Sequence, residues 1–258
     1  MSANSQAAVA RLAAQQGIRE EIWAALRKVA RPDSRFHWDF SSFIPDFVGS
    51  EHCAQAIRQL PEYSEDGLLF ITPDNCLETF RESVLADRKS YVMTTYGIAR
   101  GFMYVDPDRV STEDRRHSST LDGVERYARS ISLAELRSGD PVQLLVTGSS
   151  AISTNGVRFG KGHGYFDLEW AILSELGLVG PSTRIIAVGH DSQVVQAALP
   201  AFTHDTVVDL IVTPTRTIAV EHAQRPVGRI EWDGLSSSML DAIPSLGELR
   251  DLLTQTGW

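Results

Sequence analysis

The stretch Gly156-Val157-Arg158-Phe159-Gly160-Lys161-Gly162-His163-Gly164-Tyr165-Phe166-Asp167 opens directly into a helical apolar pattern. Four of its twelve residues are glycine, and two, Arg158 and Lys161, are cationic. Glycine lets a chain turn successive N–H groups toward a ligand, and a helix start adds partial positive charge. With two cations alongside, the pattern predicts a phosphate cradle formed around Gly160, Gly162 and Gly164, and hence a nucleotide site. Asp167 falls in the first turn of the following helix. There it either complements the positive helix end or holds a magnesium ion bridging phosphates, and beside the cradle the metal is favoured. A ligand-free turn rarely needs three alternating glycines, each of which costs conformational entropy on folding.

Working outward, short apolar runs at 68–71, 91–94, 142–146, 184–188 and 207–212 read as buried strands. Helical segments are expected at 75–86, 165–177 and 192–198. This alternation predicts an α/β fold of three layers, a mainly parallel sheet with helices on both faces. Ligands of such sheets collect at the carboxyl ends of strands, and the glycine loop follows one. Its link from strand to helix is long for such a connection, which favours a functional loop.

N-terminal and C-terminal helical segments flank this core. In residues 7–30, Val9, Leu12, Ile18, Ile22, Leu26 and Val29 recur at helical spacing, while Gly17 leaves two helices or one kinked helix open. Residues 34–50 read as irregular chain anchored by Phe36, Trp38, Phe40, Phe43 and Phe47, and a short helix follows near 51–60. Residues 106–130 are charged and suit a lid, an inserted helix or a solvated connection. Residues 235–258 carry a helical tail. The organisation expected is one domain over 1–258, with an N-terminal segment (1–60), an α/β core (61–215) and a tail (216–258).

The chain has 258 residues, 43% of them hydrophobic and 22% charged, with a net charge of -9. That balance suits a globular protein and argues against nucleic-acid or anionic-membrane partners. No apolar run is long enough to span a bilayer. The first residues show no basic patch ahead of an apolar stretch, so no signal peptide is expected and a cytoplasmic location is. Cys53 and Cys76 lack metal-ligand spacing and read as reduced thiols. Nothing in the sequence sets an oligomeric state.

Two common phosphate motifs are excluded. A Walker A loop needs GxxxxGK before Ser or Thr, but Gly156 is one residue too close to Gly160 and Gly162 occupies the hydroxyl position. The dinucleotide fingerprint GxGxxG fails because the third glycine is Gly164. Ser149 and Ser150 after Gly148 do not complete GxSxG. His190-Asp191 and His204-Asp205 invite a metal phosphohydrolase reading, although neither pair sits in a helical pattern. His190 is favoured as pocket lining, and Arg216, just past a strand end, suits either an anion contact or a salt bridge.

The segment Arg158-Phe159-Gly160-Lys161-Gly162-His163-Gly164-Tyr165-Phe166-Asp167 resembles the RLGxGxGYYD signature of the 5-formyltetrahydrofolate cyclo-ligase (methenyltetrahydrofolate synthetase) family. Leu199-Pro200 ahead of His204-Asp205, and the run from Val208 to Pro214, fit it too. The likeness is closest to a divergent, cyclo-ligase-like or methenyltetrahydrofolate synthetase domain-containing branch. It is carried by Arg19-Glu20-Glu21-Ile22-Trp23, the glycine loop, Asp167-Leu168-Glu169, His190-Asp191-Ser192-Gln193-Val194-Val195 and Thr213-Pro214-Thr215-Arg216. It covers most of residues 10–250 and is most specific at the loop.

The resemblance implies a three-layer α/β fold binding ATP and Mg2+, with a folate-like small molecule as substrate. In that chemistry a formyl oxygen attacks the γ-phosphate, and the second nitrogen then displaces phosphate to give 5,10-methenyltetrahydrofolate and ADP. Such a reaction needs charge and position from the protein, with no covalent nucleophile. Carried over, Arg158 and Lys161 neutralise charge as the catalytic pair. Gly160, Gly162, His163, Gly164, Tyr165 and Arg19 hold the nucleotide, and Asp167 holds magnesium. Asp74 matches a folate-contacting glutamate after the first strand, and His190 and Arg216 complete the substrate set. The chain departs from the family where Gln15 or Gln16 replaces an N-terminal lysine and where His163 replaces a loop glycine. These departures ground an alternative, a non-catalytic nucleotide- or folate-binding protein that has lost turnover.

Overall fold

The computed structural model describes residues 3–64, 67–196, 199, 205–221 and 228–255. In chain order, α1 (Ala3–Leu26), α2 (Ser50–Arg58) and α3 (Pro61–Ser64) precede β1 (Leu68–Ile71), α4 (Glu78–Ala86), β2 (Tyr91–Thr94) and β3 (Phe102–Val105). Then come α5 (Arg115–Ser118), α6 (Val124–Tyr127), β4 (Arg129–Ile131), α7 (Leu133–Arg137), β5 (Val142–Gly148), β6 (Ala151–Ser153) and β7 (Arg158–Phe159). The chain continues through α8 (Tyr165–Glu175), β8 (Arg184–Val188), β9 (Val194–Val195), β10 (Leu210–Val212), β11 (Thr217–Ala219), α9 (Ser237–Ala242) and α10 (Pro244–Gln255).

Eight strands form one sheet in the order β11-β10-β8-β5-β1-β2-β3-β4. The five central strands are parallel, and β11, β3 and β4 run antiparallel to their inner neighbours. Central strands buried on both faces must be apolar throughout, and side-chain alternation sorts them into two cores. Phe70, Leu145, Ile185 and Ile211 face Ile172 and Leu173 of α8 and Leu246 and Leu249 of α10. Leu69, Ile71, Leu144, Val146, Ile186 and Val188 face Ile57 of α2 and Phe80 and Val84 of α4. The predicted three-layer, mainly parallel α/β fold is the one observed. Among the described residues no helix is long and apolar enough to cross a membrane.

Two readings of the sequence change. Residues 192–198 were expected to be helical, but Asp191–Gln193 is a single 3-10 turn and Val194 and Val195 form β9. The pairing Ile152↔Val194 and Ser153↔Val195 captures those β-branched residues into a second, three-stranded sheet, β7-β6-β9. That small sheet also explains the long link after β5, which holds the β6–β7 hairpin. Gly156 makes its turn at φ +88°, where a Cβ would lie 2.8 Å from the Val208 carbonyl oxygen. Gly17, in contrast, does not break α1, and a Cβ there would meet nothing within 4 Å.

The charged segment 106–130 is ordered structure. It holds α5 and α6, buries Val110, Leu121 and Val124, and packs α5 on α4. The tail is helical as expected, and Glu248 of α10 accepts from the Leu133 N–H at the start of α7, 2.6 Å away.

Candidate active site

A cavity of about 340 Å³ opens at the carboxyl ends of β1 and β5. It is walled by Arg19 of α1, Asp74 beyond β1, Arg158 of β7, the loop 160–164, and Tyr165, Asp167 and Glu169 of α8. β1 and β5 are adjacent and parallel, so their trailing segments meet, and the Gly148 N–H donates to Asp74 Oδ2 at 2.9 Å. The Thr72 hydroxyl donates to the same oxygen at 2.6 Å. The small sheet then delivers Arg158 and the glycine loop across the mouth.

The loop takes the form the glycines permit. Gly162 and Gly164 have φ of +109° and +70°, a region that L side chains rarely adopt. Gly164 caps the α8 N-terminus in a left-handed conformation. Among the described residues, the N–H groups of Lys161, Gly162, His163 and Gly164 donate to no protein acceptor. Gly162, His163 and Gly164 are exposed, so these amides are open to the cavity and to solvent, the arrangement from which anion-binding nests are built.

Three cations surround it. Arg19 Nε donates to the Gly160 carbonyl at 2.9 Å, and its guanidinium lies 5.1 Å from the Phe159 ring centroid. Arg158, only 6% exposed, donates from Nε to Ser149 Oγ (3.2 Å) and from Nη2 to the Gly148 carbonyl (3.1 Å). Its guanidinium rests 4.5 Å from the Phe166 ring centroid, so its position is fixed before any ligand arrives. Lys161 Nζ sits 4.5 Å from the Tyr96 ring centroid. Burial lowers the pKa of both Arg19 and Lys161, and for Arg19 the neighbouring Arg158 adds to that. A partly dehydrated cluster of like charges is one that an anion would relieve.

Sequence reasoning assigned no role to Glu169. It is 3% exposed on α8 and lines the cavity, with the Thr94 hydroxyl of β2 donating to its Oε1. Burial, with Asp74 adding to it, pushes its carboxyl up to about 8. The available signal was a charged residue on a helix whose neighbours Phe166, Leu168, Trp170 and Ala171 are all apolar and buried. Its spacing of four from Tyr165 turns it to the same side.

Asp167 Oδ1 accepts from the Thr206 N–H at 2.8 Å, and Asp205 lines the same cavity. Magnesium typically takes one or two carboxylates and completes its shell with water and phosphate oxygens, so Asp167 and Asp205 beside the loop fit that ion. His190 and Arg216, assigned to substrate by sequence, do not line this cavity. The His190 ring caps the 3-10 turn by accepting from the Ser192 N–H and packs 5.8 Å from Phe47. Arg216 pairs with Asp191 at 3.5 Å, which is the salt-bridge reading of that residue. His204 lies outside the described residues. Of the two His-Asp pairs' aspartates, Asp205 lines the cavity whereas Asp191 is held by Thr213 and Thr215. Both cysteines are buried thiols, Cys53 pushed up to about 12 chiefly by burial.

The fold and the loop together define an α/β protein with a glycine-rich loop and three cations at a cavity on the carboxyl ends of its strands. The sequence profile of the 5-formyltetrahydrofolate cyclo-ligase family matches residues 11–214, and the chain belongs to that family. A Homo sapiens methenyltetrahydrofolate synthase domain-containing protein is 36% identical over 246 residues, covering 94% of this chain and 63% of that protein. The Danio rerio protein of the same name is 31% identical over 245 residues, covering 93% of this chain and 62% of its own. The chain therefore spans less than two thirds of the length of these relatives. The NMR structure of Aquifex aeolicus 5,10-methenyltetrahydrofolate synthetase shares the fold, with a TM-score of 0.50 at 16% identity, covering 81% of this chain and 94% of that one.

Proposed function

We propose that this protein binds ATP with magnesium and acts as a cyclo-ligase on 5-formyltetrahydrofolate or a related heterocycle. The observation that carries the reading is the run of unpaired amides at 161–164 beside Arg19, Arg158 and Lys161. ATP would supply the phosphoryl group that turns a formyl oxygen into a leaving group, with ADP released, and attack by the second nitrogen would expel phosphate. Arg158 and Lys161 neutralise charge on the transferring group, and Arg158, already fixed by three contacts, does so without reorganisation. Arg19 secures the loop through Gly160, and Asp167, with Asp205, would hold magnesium. Asp74 offers a carboxylate that suits the N–H groups of a heterocycle, and Glu169, kept protonated by burial, faces the same cavity.

The family resemblance places a lysine at Gln15 or Gln16, of which Gln15 is 5% exposed on the cavity wall, and this favours a second reading of binding without turnover. Incubation with 5-formyltetrahydrofolate, ATP and Mg2+ should generate methenyltetrahydrofolate absorbance, and Lys161→Ala should lower kcat/KM by about a hundredfold. Binding of both ligands with no absorbance change would support the second reading instead.

A further inference from the structure

Of the chain's 24 basic residues only Lys28, Lys89 and Lys161 are lysine, so arginine supplies positive charge almost everywhere. The cavity follows that habit at Arg19 and Arg158 but departs from it at Lys161. The two groups differ in chemistry. A guanidinium stays charged and grips phosphate with paired N–H groups, whereas an amine can lose its proton and bond to carbon. Lys161 is half-buried, and its Nζ sits 4.5 Å from the Tyr96 ring centroid. Among the described residues that ring is its partner, with no carboxylate within ion-pair reach and no oxygen accepting from it. Burial lowers its pKa, with Arg158 adding to this and Asp74 and Glu169 opposing. Desolvation beside a second cation is what turns a lysine amine into a nucleophile. Lys28 and Lys89 lie outside this cavity.

We infer that Lys161 is a covalent docking site for small phosphorylated aldehydes, the phosphate lodging on the amides at 161–164 while Nζ closes on the aldehyde carbon as an imine. This site rests on the anion-binding reading of the loop and is independent of the cyclo-ligase reaction. The neutral amine forms a C–N bond to the aldehyde carbon, and the carbonyl oxygen takes up one of the nitrogen's protons. The resulting hydroxyl then leaves as water with the second nitrogen proton, and the nitrogen lone pair completes the C=N bond. Nothing is oxidised or reduced, and hydrolysis reverses the step. Holding the phosphate and the carbonyl in one cavity of about 340 Å³ makes the addition effectively intramolecular. The same amine and amides serve the nucleotide, so adduct and nucleotide exclude one another, and the aldehyde acts as a reversible inhibitor of the site.

The test incubates the full chain with pyridoxal 5′-phosphate, reduces it with borohydride and locates the adduct by peptide mass. Lys28 and Lys89 serve as references in the same molecule. Lys161 should be labelled at least about tenfold faster than either. Pyridoxal, which carries the aldehyde without the phosphate, should label it about tenfold more slowly than the phosphorylated probe. Saturating magnesium tripolyphosphate should protect Lys161 and leave the other two rates unchanged. Lys161→Arg keeps a cation but removes the amine, and should lose most of the imine absorbance seen before reduction. Equal labelling of the three lysines, equal labelling by pyridoxal, absence of protection, or undiminished absorbance in the variant would each overturn the site. Selective, protected labelling of a protein that forms no methenyltetrahydrofolate supports the site while turnover falls, so the two failures are told apart.

Discussion

Glu169 shows how one residue's chemistry depends on where the fold puts it. Its ordinary value of 4.5 is raised to about 8, first by burial and then by Asp74, with the Thr94 hydroxyl and the nearby cations opposing. The folded chain therefore retains a proton that the unfolded chain releases. The associated stability is fully present below about pH 4.5 and is lost as pH rises through about 8, at up to about 1.4 kcal/mol per pH unit. Glu169→Gln keeps the shape and removes the titration. Denaturant melts of the variant should show a flatter stability profile than wild type between pH 5 and 8, roughly that window. Parallel profiles for the two proteins would refute the burial argument. Arg158 is a contrasting case, because its place in the loop was legible from spacing while its fixed side chain came from Ser149, Gly148 and Phe166.

Among the elements, α4 ties the cavity to the segment 106–130. Arg81 of α4 is fully buried, and its Nε donates to the Ser119 carbonyl at 2.8 Å. Its Nη1 donates to the carbonyls of Thr72 (2.7 Å) and Asp74 (3.1 Å), the turn that leaves β1 and enters the cavity wall. A buried guanidinium without an ion pair is expensive, and here it organises three carbonyls from two separate loops. Arg81→Met, similar in length but without donors, should cost about 3 kcal/mol, read as a lower urea midpoint at unchanged m. KM for the heterocycle should rise as well, because Asp74 loses its support. The charge-rich composition of 106–130 left a lid, an inserted helix or a solvated connection open, yet α5 packs on α4 and α6 on α5 and β3, with Val110, Leu121 and Val124 buried.

For the whole molecule, the site gathers residues from α1, the end of β1, the small sheet and α8, spread from Gln15 to Asp205. Arg19 and Gly160 are 141 positions apart in the chain and 2.9 Å apart in space. A ligand held by so many elements should stabilise the folded state as a unit. At about 100 times its Kd, Mg·ATP should add about 2.7 kcal/mol, which for a chain of this size raises Tm by about 5–10 °C. Scanning calorimetry with and without Mg·ATP reads this directly, and an unchanged Tm at saturating ligand would count against the nucleotide reading. The net charge of -9 makes the local cation cluster more telling, since the overall field would repel such a ligand.

Local order along the chain was enough to specify the parallel sheet, the helix α8 and the glycine-rich loop that opens it. Apolar runs such as 142–146 must be buried on both faces, and alternating glycines beside cations present their amides wherever the chain goes. Long-range pairing decided the rest. Val194 and Val195 became a strand only because Ile152 and Ser153 lay alongside, and His190 was turned into a cap at the end of β8. Arg19 reached the loop because α1 packs near β6, and Glu169 acquired its raised pKa from burial that no neighbour in sequence imposes. A second cavity, beside α8, exists because the segment 228–239 returns to that helix, with Gly228 so close that a Cβ would lie 2.6 Å from Trp170. Periodicity reports which face of an element is buried, whereas the partners of that face are set by chain segments far away, and catalytic geometry belongs to the partners.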